Sequence, residues 1–212
     1  MKIFKKMSLD FCFNGHLTEL SDLCPGLASN TLIQELSITY KGRSSKTNFL
    51  PLNNLLQTNA PCLKSFFLDL NDFGTDIDYR DILPGLRNNR TLRYIRLDIL
   101  GITDATASDL VSAVARNPNL ECLCIRSTRN TTFGDLSSEA FKRLLSDSTS
   151  LRELVLGDHD SNPTLNAECF VQGLKKSRSL KRLDIRNLLY GDTIFARLFR
   201  ILPDCPSRTA CA

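Results

Sequence analysis

The stretches Leu92–Leu97 (LRYIRL), Leu120–Ile125 (LECLCI), Leu151–Leu156 (LRELVL) and Leu180–Ile185 (LKRLDI) decide the fold of this chain. Each is apolar at its first, fourth and sixth positions. The fourth and sixth alternate with mostly polar neighbours, which puts them on one face of a short strand. Three earlier stretches carry the same pattern: Phe4/Met7/Leu9, Ile33/Leu36/Ile38 and Leu63/Phe66/Leu68. Successive starts lie 29, 30, 29, 28, 31 and 29 residues apart. A pattern held in phase through seven cycles is an internal repeat.

About ten to fifteen residues after each stretch the apolar period changes. Leu17, Leu20, Leu23 and Leu27 recur at helical spacing, as do Leu52, Leu55 and Leu56. The later units repeat this with Ile82 and Leu86, Leu110 and Val114, Phe141 with Leu144 and Leu145, Phe170 and Leu174, and Ile194, Phe195 and Leu198. Each unit therefore reads strand, loop, helix, loop. Asn30, Asn59, Asn89 and Asn117 stand just before the next strand, where a helix C-terminal stop is expected.

One strand and one helix cannot bury both apolar faces alone, but stacked neighbours can. The strands then pair in parallel on one side and the helices line the other. Helices take more room, so the stack is expected to curve with the strands inside. The repeat resembles the leucine-rich repeat proteins, and its 28–31-residue period with a helix per unit resembles their ribonuclease-inhibitor-like subclass. The resemblance implies an α/β solenoid of about seven units over residues 1–202, with 203–212 (PDCPSRTACA) as a disordered tail. The family places Asn or Cys at the ninth position of each unit; of the residues here, Cys12, Lys41, Asn71, Leu100, Thr128, His159 and Leu188, Cys12 and Asn71 alone fit. Irregular loops after the strands are expected. Neither end shows a polar cap, so a fragment, covered ends or marginal stability is expected.

Composition agrees with a folded domain. The chain has 212 residues, 42% hydrophobic and 24% charged, and carries a net charge of +4. That charge is too small to argue for nucleic acid, and no apolar run reaches the roughly 18–20 residues of a membrane span. Basic residues break up the apolar N-terminus, which excludes a signal peptide and points to cytoplasm, with the nucleus as an alternative, and not to secretion. The eight cysteines are then expected as free thiols.

In such a fold the third, fifth and seventh positions of each unit face away from the helices. These are Lys6, Ser8 and Asp10; Glu35, Ser37 and Thr39; Ser65, Phe67 and Asp69; Tyr94, Arg96 and Asp98; Cys122, Cys124 and Arg126; Glu153, Val155 and Gly157; and Arg182, Asp184 and Arg186. Phe67, Tyr94, Cys122, Cys124 and Val155 make the middle apolar, and Tyr and Arg around an apolar patch is the composition of an interface hot spot. The expected partner-binding residues are Phe67, Asp69, Tyr94, Arg96, Asp98, Cys122, Cys124, Arg126, Arg182 and Arg186. A basic cluster over 175–186 suits an acidic or phosphate-bearing surface, or simply complements a helix end.

Catalytic motifs are missing from the sequence. It has no G-x-S-x-G, H-E-x-x-H, P-loop or G-x-G-x-x-G, and its histidines, His16 and His159, stand in no such pattern. Asp158, Asp160 and Asn162 imitate a calcium loop but fail at Pro163 and Cys169. Cys122-x-Cys124 lacks a second pair for zinc. No cofactor or metal is implied.

Three functions compete. The first is a noncatalytic scaffold that binds another protein, with neither nucleic acid nor membrane, as a monomer or part of a larger assembly. The second, implied by the resemblance, is a GTPase-activating regulator, with Arg43, Arg90 or Arg129 as the exposed arginine. The third is the ligand-sensing part of a larger receptor or F-box adaptor.

Overall fold

The computed structural model describes residues 7–13, 18–40, 49–70, 79–128, 133–158, 165–186 and 209–210. Strands and helices alternate along them: β1 (Met7–Phe13), α1 (Thr18–Ala28), β2 (Ile33–Tyr40), α2 (Leu50–Gln57), β3 (Ser65–Asp69), a 3-10 turn (Tyr79–Asp81), α3 (Leu83–Asn88), β4 (Tyr94–Leu100), α4 (Asp104–Val114), β5 (Cys122–Thr128), α5 (Asp135–Asp147), β6 (Glu153–Asp158), α6 (Ala167–Lys176), β7 (Arg182–Arg186) and β8 (Thr209–Ala210). The expected helix at Ile194–Leu198 lies outside the described residues.

The strands form one sheet in chain order, β1 to β8, and every pairing is parallel. Register turns the repeat into rows. Leu36, Phe66, Ile95, Leu123, Leu154 and Leu183 stand side by side, and so do Ile38, Leu68, Leu97, Ile125, Leu156 and Ile185. Leu97, Ile125 and Leu156 are each at most 2% exposed. These rows share one core with the buried helix residues, such as Leu52, Leu86, Val111 and Phe141. Consecutive helices pack on each other, α1 on α2 through to α5 on α6. Phe141 stands between Phe133 and Phe170, with ring centroids 6.0 Å away on each side. The α/β class read from the period is the observed one.

The first repeat is displaced. Leu9 pairs with Leu36 and Phe11 with Ile38, so the strand sits two residues later than the Phe4/Met7/Leu9 alignment implies. A two-residue slip keeps each side chain on its expected face. Phe11 thereby packs against the core. At the other end, Thr209 and Ala210 of the expected disordered tail pair with Arg182 and Leu183.

Helix starts are built locally. Proline occupies the first turn of α2 and α3, where its missing N–H costs nothing. Thr103 caps α4, and Asn166 caps α6 by accepting from Glu168 N and Cys169 N. Helix ends use asparagine, in two different ways. Asn59 alone takes the left-handed conformation, φ 52°. Asn89 is extended, and its Oδ1 accepts from Thr91 N and Leu92 N while its Nδ2 donates to Leu56 O of the preceding repeat at 2.8 Å. Asn117 likewise donates to Leu92 O at 2.8 Å. Its Oδ1 accepts from Asn119 N. The side chain, not a strained backbone, turns the chain and ties neighbouring repeats together.

Candidate functional site

The face of the sheet opposite the core carries the alternate residues of each strand. Register places Tyr94 beside Ser65 and Cys122, Arg96 beside Phe67 and Cys124, and Asp98 beside Asp69 and Arg126. Glu153, Val155 and Gly157 follow on β6, then Arg182, Asp184 and Arg186 on β7. A depression of about 700 Å³ runs over this face. Phe67, Tyr94, Arg96, Cys122, Cys124, Arg126 and Arg182 all line it, together with Val155, Glu153 and Asp184. Asp69 and Asp98 lie on the face but outside the lining, and the side chain of Arg186 lies outside the described residues.

Exposure is uneven. Tyr94 is 42% exposed, whereas Cys124 and Val155 are each 7% exposed. The phenol of Tyr94 donates to Glu121 Oε2 at 3.4 Å, a long bond that leaves the ring face open. Aromatic side chains of this kind bring a large apolar area and a polar tip to an interface.

The charges of the face are mostly engaged within it. Arg96 Nε donates to both oxygens of Asp98 at 3.0 Å, and its Nη2 reaches Oδ2 as well. Asp98 is 4% exposed, and its bonds hold the Arg96 guanidinium more firmly protonated than usual. Arg182 donates to Glu153 Oε1 at 2.9 Å and approaches Asp184 at 3.8 Å. Arg96, Asp98 and Arg182 are therefore parts of an internal charge network rather than free anchors. Arg126 draws the Cys124 thiol down electrostatically and makes no ion pair with a described carboxylate. Sequence reasoning omitted Glu153 and Asp184 from the site; the signals were an opposite charge at the register position of Arg182 for Glu153, and one two residues along the same strand for Asp184.

Burial, with Glu153 adding to it, pushes the Cys122 thiol up to about 12. Burial raises the Cys124 thiol too, against the pull of Arg126. Neither is a thiolate at neutral pH, so neither is poised as a nucleophile. Arg90 turns its guanidinium back onto the carbonyls of Arg87 and Asn89, at 2.8 and 2.9 Å. Arg43, Arg129, His16 and His159 lie outside the described residues. Among the described residues no group of His, Cys, Asp and Glu is placed to hold a metal ion, and no helix is long and apolar enough to cross a membrane.

No protein-family model matches the sequence, and no curated protein is significantly similar to it. Among solved structures the chain is similar to leiomodin-1 actin-binding site 2, with a TM-score of 0.53 and 16% identity over 74% of this chain and 89% of that one. The fold is leucine-rich-repeat-like. At that identity the likeness is one of fold.

Proposed function

We propose that this chain is a noncatalytic protein-binding module whose partner docks on the open face of the sheet around Tyr94. The observation that carries the reading is the exposed Tyr94 ring, which lines with Phe67 and Val155 a single depression that charged residues also line. Interfaces concentrate their energy in such an aromatic anchor with an apolar floor and a polar rim. The internally paired arginines support the reading, because they hold the rim rigid and leave little side-chain entropy to lose on docking. The raised thiols of Cys122 and Cys124 support the absence of covalent chemistry.

The structural neighbour is titled an actin-binding site, which makes purified actin a sensible first partner to assay. The broader test is affinity capture from a native lysate with the wild-type chain, Tyr94→Ala and Leu136→Ala. Leu136 is 58% exposed on helix α5 and serves as the off-face control. A partner retained by Leu136→Ala and lost by Tyr94→Ala supports the reading; a partner indifferent to Tyr94→Ala and Phe67→Ala overturns it.

A further inference from the structure

The residues that lead into the strands form a line of their own. Arg93 N donates to Lys64 O at 2.8 Å, Glu121 N to Arg93 O at 2.8 Å, Arg152 N to Glu121 O at 2.7 Å and Lys181 N to Arg152 O at 2.7 Å. Lys64, Arg93, Glu121, Arg152 and Lys181 thus stand shoulder to shoulder along one edge of the sheet. Four strand steps separate the first from the last, about 19 Å at the usual spacing. Arg93 is neutralised by Glu121 at 3.0 Å, while Lys64, Arg152 and Lys181 make no ion pair with a described carboxylate. Arg152 and Lys181 are exposed.

The last turn of α6 and the turns that follow α4 and α6 add Arg116, Lys175, Lys176 and Arg178, all exposed, against Asp147 at the end of α5. A second hollow of about 690 Å³ opens there among Lys175, Lys176 and Arg178. Complementing helix carbonyls accounts for some of these cations, but not for the row. Lys175 and Lys176 lie in the last turn of α6, whereas α4 and α5 have no basic residue in theirs. Arg152 and Lys181 come five residues after α5 and α6 end, beyond the reach of an effect that fades within one turn.

We infer that this strand-start edge is a docking surface for an acidic segment of a protein partner. The inference rests on the reading that the chain binds protein, but not on which side chains of the open face make the contact. Charge complementarity selects an acidic occupant. The neighbouring hollow selects a polypeptide: Lys64 and Arg93 line it together with Phe67, Tyr94 and Val155, so cations and apolar groups meet on one surface. A segment carrying Asp or Glu beside apolar side chains uses both. A single nucleic-acid strand uses a series of aromatic platforms, and Tyr94 is the exposed ring among the described residues of the face. An extended segment of about six residues spans the row.

The test is fluorescence anisotropy with a labelled peptide of repeated Glu-Glu-Leu, its Lys-Lys-Leu counterpart, phosphatidylserine vesicles and poly-uridylate. The variants are Arg152→Glu/Lys181→Glu and, as a control on the helix side, Arg143→Glu, whose side chain is 73% exposed. The expected result is binding of the Glu peptide in preference to the other three probes, weakened at least about tenfold by the double reversal and little changed by the control. A thermal melt of each variant confirms that the fold persists. Absence of Glu-peptide binding, equal binding by the double variant, or tighter binding of vesicles or poly-uridylate overturns the inference. Loss of peptide binding on double reversal, with a captured partner indifferent to Tyr94→Ala, leaves the edge standing and sinks the face.

Discussion

The carboxylate of Asp104, in the first turn of α4, holds the start of α5 by accepting the backbone N–H of Gly134 at 2.8 Å. It also accepts from Leu136 N at 3.0 Å and Ser137 N at 2.9 Å. Gly134 offers no side-chain oxygen to cap its own helix, and a Cβ there would meet Asp104 Oδ2 at 2.7 Å. One repeat therefore supplies the cap of the next, so that local helix formation and repeat stacking depend on each other.

Asp104→Ala should cost about 2 kcal/mol at neutral pH, because it strands helix-start donors that are partly shielded from water. Burial alone would raise this carboxyl, but the Ser137 hydroxyl and the three N–H groups outweigh it and hold the group below the ordinary carboxylate range. A lowered folded value stabilises above the unfolded value of about 3.9, and that contribution is lost as the pH falls through the folded value. Urea melts at neutral pH and at about pH 3 should show the gap between wild type and Asp104→Ala shrinking in acid.

Asn89→Ala removes three bonds from a side chain that is 1% exposed, including the one that reaches Leu56 O in the preceding repeat. The expected loss is about 2–3 kcal/mol, since buried backbone groups are left unpaired. Asn89→Asp keeps the acceptor and loses the donor, so it should fall between wild type and Ala or below both if the carboxylate is buried charged. Chemical denaturation of the three proteins gives the order.

Helix α6 approaches α5 closely at Gly173. An added Cβ would sit 2.7 Å from Lys142 Cα, a backbone atom that cannot turn aside. Gly173→Ala should destabilise by about 1–3 kcal/mol despite its better helix propensity. An equally stable Gly173→Ala protein would show that the two helices separate freely.

Thiol reactivity should follow burial. Cys12 is exposed, Cys24 is buried with its thiol raised to about 11, and Cys122 is raised to about 12. At pH 8 roughly one Cys122 in ten thousand is thiolate, so iodoacetamide should label Cys12 well before Cys24, Cys122 or Cys124. Peptide mapping over a time course checks the order.

Much of this was legible in the sequence for a physical reason. The interior rows follow from apolar residues recurring every strand, so Leu97, Ile125 and Leu156 were bound to align once parallel pairing was assumed. The first repeat misled because Phe4, Met7, Leu9 and Phe11 offer two equally apolar registers; in the observed one Phe11 packs against the core. Tyr94, Phe67 and Cys122 were placed on one face by period alone. What Arg96 and Arg182 do there was not legible, because their carboxylates, Asp98 and Glu153, come from a neighbouring position and a neighbouring strand. The cap at Asp104 depends on a partner 30 residues away and has no local motif. Lys181 belongs to the basic cluster that the sequence shows over 175–186, but its alignment with Lys64, Arg93 and Arg152 was not legible, because these residues stand one position before the strand faces that the repeat pattern singles out.

The account stands or falls on whether a protein occupies the open face. A photo-crosslinking amino acid at position 94, with the same group at position 136 as the off-face control, reads this directly in a native lysate. The account predicts one dominant crosslinked protein from position 94 and none of that protein from position 136. The same protein crosslinked from 136 and not from 94 would contradict it.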